Sequence, residues 1–462
     1  MDRQTLGGLK SLPGRAELLR KFDDLQFSLW HGLGASAIFF AILLDVFDNF
    51  NVSFALPPLR AEWNLTPIQI GFLGSIALLG LALGALIIPG LADRWGRKWP
   101  YVTAVTGFSA MSLACGLAQD YTQLLIYRFV TGIFIGGAAP LSFTYLAEIA
   151  GRRFRGRLIA LATIGSAMAL ICVPLVAGML IPVYGWRSIF YASAAAGVLS
   201  VTWCLIALKE SVPYLVERNR IAEAAGVLAR FASTAGSSGQ LPSSEQISAA
   251  EQTPGSEKKA GHSYFVSLWG RDIRMVTIIA WMLNATTLFA VTGAAIWLPT
   301  FLTNLGLGQQ SFRIVFIGSV GVLVGAVLAL LLVDVWGRKP LLLISTAGTL
   351  VFYPLLGAMD TPALIGVTAF LAQMCSAGII FPPLNAWLNE SYPSDIRASG
   401  MGWSQVPGRL AGFLAPNAVG LVVAAGWGFQ GAGIVLGAPS LISALLVLAY
   451  VKESKGRYLN AG

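Results

Sequence analysis

The chain has 462 residues, 56% of them hydrophobic and only 11% charged, with a mean hydropathy of +0.70. A soluble globular chain carries about 25% charged residues, so composition places this one among polytopic membrane proteins. The net charge of +9 would suggest nucleic acid in a soluble chain, but its distribution has a simpler reason, given below.

The N-terminal stretch MDRQTLGGLKSLPGRAELLRKFDD is polar and lacks the short apolar core and small-residue cleavage site of a signal peptide, so the first span is expected to be uncleaved. That span contains the stretch SAIFFAILLDVFDNFNVSFAL at 36–56, long enough to cross a bilayer, yet it carries Asp45 and Asp48 near its middle. An ionisable side chain at membrane depth costs about 2.5–3.5 kcal/mol on insertion scales, which marks a functional site by default. Their spacing of three puts both acids on one helix face, with Asn49 beside them.

Apolar runs predict twelve spanning helices, at about 34–55, 68–91, 100–119, 123–147, 157–182, 187–208, 275–304, 312–333, 339–358, 362–390, 399–425 and 428–451. The polar segment 209–274 divides them six and six. The expected organisation is an N-terminal segment 1–33, a bundle 34–208, a linker 209–274, a second bundle 275–451 and a tail 452–462. The linker opens with ESVPYLVERNRIAEAAGVLARF, which predicts one or two interfacial or soluble helices. It continues as a Ser/Gly/Gln-rich stretch expected to be disordered.

With both termini cytoplasmic, nearly all lysines and arginines fall on the cytoplasmic side. Only Arg60, Arg187 and Arg313 fall opposite, and Arg128 and Arg409 fall inside spans. The basic character is therefore a topology signal. The 51 glycines suit close helix packing. Cys115, Cys172, Cys204 and Cys375 sit in apolar runs with no metal-like spacing, and neither His31 nor His262 lies inside a hydrophobic run.

An internal repeat links the two halves. GLADRWGRK at 90–98 is echoed by LVDVWGRK at 332–339, and Glu148 with Arg155 is echoed by Glu390 with Arg397. Asp93, Arg97, Lys98, Glu148 and Arg155 thus form one charged cluster, and Asp334, Arg338, Lys339, Glu390 and Arg397 its twin. Such ion pairs can be broken by a helix rocking a few ångströms, so the duplicated pattern reads as a cytoplasmic latch holding the outward-facing state. The bland alternative is a solvated topology signal.

These motifs carry a family resemblance spanning about residues 25–455. GLADRWGRK resembles the loop signature of the major facilitator superfamily, with Pro89 where a glycine is usual. RFVTGIFIGGAAP at 128–140 resembles its fourth-helix signature. YLAEIAGRRFRG (with Gly151 where a proline is usual), GWR at 185–187, ESVPYL at 210–215 and NESYPSDIRASGMG are similar to its sugar and organic-anion porters. WLP at 297–299, GRLAGFLAP at 408–416 and the D-x-x-D are most like the aromatic-acid/proton symporters and niacin-type relatives. The resemblance implies an all-α fold of two pseudo-symmetric six-helix bundles working by alternating access. It also implies a role in proton transfer for Arg128, by tuning a first-helix carboxylate.

Asp45 and Asp48 can carry protons, bind substrate hydroxyls or amines, or form a structural pair with an arginine. Proton coupling is favoured, with Asp48 ahead because it sits with Asn49. Arg128 is expected close to the outer surface, where it could equally be an interfacial anchor. Arg409 lies deeper and needs an anion, either a substrate carboxylate or a protein acid. Asn49, Asn284, Trp297, Asn385, Asn389, Trp403 and Gln405 complete the candidate substrate site. Packing or interface anchoring is the commoner role of a tryptophan such as Trp297.

The expected function is proton-coupled uptake of a small organic anion, such as an aromatic acid, with a sugar or polyol carrier as the alternative. A membrane-embedded enzyme or a sensor is disfavoured, since no intramembrane catalytic cluster is seen and 209–274 is too short for a signalling domain. The expected setting is a bacterial inner membrane. Partners are a small-molecule substrate, protons and the lipid bilayer, with no nucleic acid, metal or cofactor and the chain acting as a monomer.

Overall fold

The computed structural model describes residues 13–151, 154–235, 268–270, 273–393, 396–451 and 453, the side chains of 13–17 and 397–399 excepted. Twelve helices within these residues are long and apolar enough to cross a membrane, and no strand occurs among them. The first span is Leu29–Trp63, longer at both ends than its apolar run. Two local devices explain the extension. Ser28 and His31 form a capping box at its start, and Asn64 closes it with a left-handed φ of 50°. The second span, Pro67–Trp95, follows at once, capped by Thr66 and Gln69 with proline in its first turn.

The third to sixth spans are Lys98–Leu117, Tyr121–Ile149, Arg155–Tyr184 and Arg187–Ala207. The linker begins with two short helices, Val212–Glu217 and Ile221–Thr234. They bury Leu215, Leu228 and Phe231 against Leu18 and Phe22 of a further helix, Pro13–Asp23, that the polar N-terminus did not suggest. The Ser/Gly/Gln-rich stretch expected to be disordered lies, from residue 236, outside the described residues.

The seventh to ninth spans are Arg274–Asn304, Gln310–Leu332 and Arg338–Ala358. The tenth, Pro362–Ser391, is interrupted by a π-helical turn at Met374–Ile379. There the Ser345 hydroxyl donates to the Cys375 carbonyl (2.6 Å), satisfying an acceptor in the irregular stretch. The eleventh is Arg397–Ala424, and the GWG break expected after it is real: Gly426 and Gly428 take φ of 85° and 59°. The twelfth, Gly428–Tyr450, is itself broken near Pro439.

Glycines set the packing in both halves. Gly80 and Gly84 on the second span face Gly132 and Gly136 on the fourth, each so close that a Cβ would strike the partner's backbone. On the eighth span, Gly321 and Gly325 meet the tenth at Phe370, Met374 and Gly378. Small residues four apart are what let membrane helices approach this closely. Equivalent spans thus use the same device in each half.

The halves meet at the end away from the arginine clusters. A Cβ on Gly71 would strike the Pro416 backbone, and one on Gly420 would lie 2.7 Å from the Pro67 carbonyl oxygen. Asn417 Nδ2 donates to Ser75 Oγ (2.9 Å), Phe72 packs edge-on to Phe413, and Arg60 reaches Asn304 (3.3 Å). The molecule is closed at that end.

Candidate functional site

The first span brings its two acids to the middle of the molecule, where they acquire different partners. Asp48 is fully buried, and its Oδ1 accepts from Ser112 Oγ (2.5 Å), Ser193 Oγ (2.8 Å) and Asn51 Nδ2 (3.1 Å). Arg128, also 0% exposed, places Nη1 3.5 Å from Asp48 Oδ2. Its Nη1 and Nη2 also donate to the backbone carbonyls of Asp48 (2.9 Å) and Asn49 (3.2 Å). Arg128 lies seven residues into the fourth span, about 10 Å along its axis at 1.5 Å per residue. It is not an interfacial anchor near the outer surface; it is a buried cation inside the first bundle. The pairing follows from cost, since an unpaired guanidinium at that depth would be expensive.

Asp45 is one helical turn away and 7% exposed. It interacts electrostatically with Asp48 and with Arg409, which comes from the eleventh span and hence from the other half. Arg409 Nη1 is buried with no hydrogen-bond partner. Two acid–arginine relationships therefore sit side by side: Asp48 with Arg128 within one half, Asp45 with Arg409 between halves.

The remaining candidates divide. Asn284 is buried, its Nδ2 donating to the Ala280 carbonyl of its own helix (3.0 Å) and its Oδ1 unpartnered. Gly408 packs on its backbone, which sets Asn284 beside the eleventh span near Arg409. Trp297 does not line the central cavity: its indole N–H donates to the Pro416 carbonyl (2.8 Å) and its ring stacks on Phe301 within the closed end. Asn49 contributes a carbonyl to Arg128. Asn385, Asn389 and Trp403 are exposed towards the cluster end of their helices, with Asn389 donating to the Asn385 carbonyl (2.8 Å), and Gln405 is half-buried.

A central cavity of about 70 Å³ lies between the halves and was not foreseen as a set. Phe50, Ser53 and Phe54 line it from the first span, Val173 from the fifth, Ser319 from the eighth and Gln373 from the tenth. Small-molecule pockets usually measure about 300 Å³ or more, so this cavity is too narrow as it stands for a typical ligand. Its aromatic residues follow the D-x-x-D motif directly in sequence, a signal that was present. Ser112 and Ser193 carried none, since a serine in an apolar run is common.

The two charged clusters are built alike. Arg97 pairs with Asp93 (2.6 Å) and Glu148 (3.2 Å), and Arg338 with Asp334 (3.3 Å) and Glu390 (2.8 Å). Both arginines are 12% exposed and both glutamates 19%, which makes them semi-buried pairs and not solvated signals. Each cluster lies within one half; neither bridges the halves.

Three members differ from expectation. Arg155 takes its ion pair from Asp23 of the N-terminal helix (3.1 Å). Lys98 donates to the Leu205 carbonyl (3.2 Å) and Lys339 to the Leu448 carbonyl (2.9 Å), so both tie to the sixth and twelfth spans. The side chain of Arg397 lies outside the described residues.

Two further acids complete the clusters. Glu210 accepts the backbone N–H groups of Arg97 (2.7 Å) and Lys98 (3.4 Å), and Glu453 those of Arg338 (2.9 Å) and Lys339 (3.0 Å). Each carboxylate occupies the space above a glycine of positive φ, Gly96 (100°) or Gly337 (94°). A side chain at either glycine would be strained and would displace the carboxylate. The signal existed in the sequence: Lys-Glu-Ser recurs at 209–211 and 452–454.

The description Major Facilitator Superfamily matches residues 38–416 and, overlapping, 314–460. The niacin transporter NiaP of Acinetobacter baylyi is 29% identical over 96% of this chain and 99% of its own. The gallate transporter of Pseudomonas putida is 30% identical over 92% and 93%. Among solved structures, the xylose transporter XylE of E. coli in a partially occluded inward open conformation aligns at a TM-score of 0.71. It is 20% identical, over 93% of this chain and all of that one. A repeated helix architecture, a buried charge site between its halves and these matches agree: the chain is a membrane transporter and belongs to the Major Facilitator Superfamily, in its branch of aromatic-acid and niacin transporters.

Proposed function

We propose that this transporter couples the inward movement of a proton to that of a small organic anion bearing a planar ring. It works as a monomer in a bacterial inner membrane with both termini cytoplasmic, its two six-helix bundles rocking about the central site. The observation that carries this reading is Arg409, a cation between the halves with a buried, unpartnered Nη1, set against Asp45. A guanidinium with a buried, unpaired nitrogen demands an anion. Either the Asp45 carboxylate or a substrate carboxylate can supply it.

Coupling follows from that competition. Protonation of Asp45 removes the negative charge that acts on Arg409 and leaves the guanidinium to the substrate; release of both towards the cytoplasm restores that charge. Asp48 is the less suitable carrier, because three donors and Arg128, all from its own half, already surround it. The niacin and gallate transporters among its relatives, together with Phe50 and Phe54 on the cavity wall, support an aromatic substrate. The twin arginine clusters serve as the cytoplasmic gate, bracing each bundle's end.

Proteoliposome uptake tests the reading. Benzoate, gallate and nicotinate should each be screened against hexoses, with and without an inward proton gradient. Uptake of an aromatic acid that rises with the gradient and is not competed by hexoses is expected. Hexose uptake with no acid uptake would overturn the substrate class and favour a sugar carrier. Acid uptake indifferent to collapse of the gradient would overturn the coupling.

A further inference from the structure

The central cavity has a neighbour. At the closed end a crevice of about 370 Å³ opens between the first, fifth, seventh and eighth spans, edged by Pro57, Pro182, Pro299 and Gln309. Phe54 lines both the crevice and the central cavity, whereas Phe312 lines the crevice alone. Their rings stack with centroids 5.6 Å apart and planes tilted by 17°. Phe54 belongs to one half and Phe312 to the other, so the contact crosses the line along which the halves separate.

Phe312 has been given room. A Cβ at Gly178 on the fifth span would lie 3.2 Å from both Cβ and Cγ of Phe312. The fifth span therefore seats the ring from the first half while Phe54 covers its face. Elsewhere at that end, the halves close through backbone contact at Gly71, Pro416, Pro67 and Gly420. Backbone packing of that kind separates only when whole helices move, whereas a side chain can swing aside by rotamer change.

We propose that Phe54 and Phe312 form a side-chain gate between the crevice and the central cavity, distinct from the closure of the two bundles. The pair seals the cavity while the bundles are closed and is the last layer to part before a substrate enters. Phe54 is the moving wall common to both chambers, and Phe312 is the stop, held by the gap at Gly178.

The seal is tested by thiol labelling from the crevice side. Ser53→Cys places a thiol on the cavity wall behind the pair, since Ser53 is buried and lines that cavity. Gln309→Cys places one in the crevice, exposed in front of it. A membrane-impermeant methanethiosulfonate is applied to vesicles carrying either variant, with labelling counted above that of the native chain. The face from which Gln309→Cys reacts defines the crevice side whatever the membrane orientation, and no transported substrate is needed. Ser53→Cys should react slowly from that face. Phe312→Ala should accelerate it at least tenfold, Gly178→Val, which displaces the ring without removing it, by a smaller factor, and Phe312→Leu little. Equal Ser53→Cys rates with and without Phe312→Ala, while Gln309→Cys labels alike in both, would overturn the gate.

Discussion

Asp45 and Asp48 are the same residue type, three positions apart on one helix, and the structure gives them opposite circumstances. Asp48 is wholly enclosed within the first half, with three donors on one oxygen and Arg128 beside the other. Asp45 keeps some exposure and lies within electrostatic range of Arg409, on a span of the other half. A carboxylate enclosed by its own bundle travels with that bundle and feels little change as the halves rock. One whose counter-charge sits across the dividing line feels every movement. Under the proposed function, the partner's address, more than burial or residue type, separates the roles of the two acids.

The sharpest way to break this contrast is to remove one member of the enclosed pair. Arg128→Ala leaves Asp48 as an uncompensated buried charge, a loss of about 3–5 kcal/mol for a buried pair. Thermal unfolding of the detergent-purified protein should show a large fall in midpoint, or no folded protein should be recovered. Replacing both residues by apolar ones of similar volume should restore much of it. A single variant as stable as the native chain would mean that the enclosed pair does not hold the bundle.

The pair across the halves should behave differently. Arg409→Ala is expected to leave a folded protein whose affinity for a carboxylate substrate falls about 10- to 100-fold, the loss of a charged hydrogen bond of about 1.5–3 kcal/mol. Asp45→Asn should abolish accumulation driven by a proton gradient while sparing substrate counterflow, because the neutral amide mimics the protonated acid permanently. If Asp45→Asn and Asp48→Asn instead lost accumulation alike and kept equal thermal stability, the two acids would share one role.

Much of the fold was legible because its signals are long: twelve apolar runs, a duplicated Asp-x-x-Gly-Arg-Lys, and glycines four apart. The site was legible in part. Cost marked Asp45, Asp48, Arg128 and Arg409, since a charge at membrane depth needs a reason in any fold. Which acid meets which arginine depends on how helices rotate about their axes, and apolar patterning within a bilayer leaves that rotation open. Asp48 was favoured for its neighbour Asn49, yet its side-chain contact is Asn51, one turn further along. Trp297 was read from its type alone, and its indole serves the closure between halves. The N-terminal helix Pro13–Asp23 was missed because its apolar residues are few and gain their burial only from the linker helices.

The smallest effect belongs to that helix and tests the contrast from its other side. Arg155 and Asp23 sit 3.1 Å apart, but their side chains are 43% and 45% exposed. An ion pair in that setting is screened by water and salt and contributes about 0–1 kcal/mol. Arg155→Gln should therefore shift the unfolding midpoint by no more than about 4 °C, at about 2–4 °C per kcal/mol for a domain of 150–250 residues. Raising the salt concentration should move the native chain towards the variant by a similar amount. Arg155 occupies the same position in its cluster as Arg397 does in the twin, so a shift as large as that of Arg128→Ala would mean that it braces the gate through contacts beyond Asp23. A small shift would leave Arg97 and Arg338, each semi-buried against a glutamate, as the residues on which the cluster ends of the bundles depend.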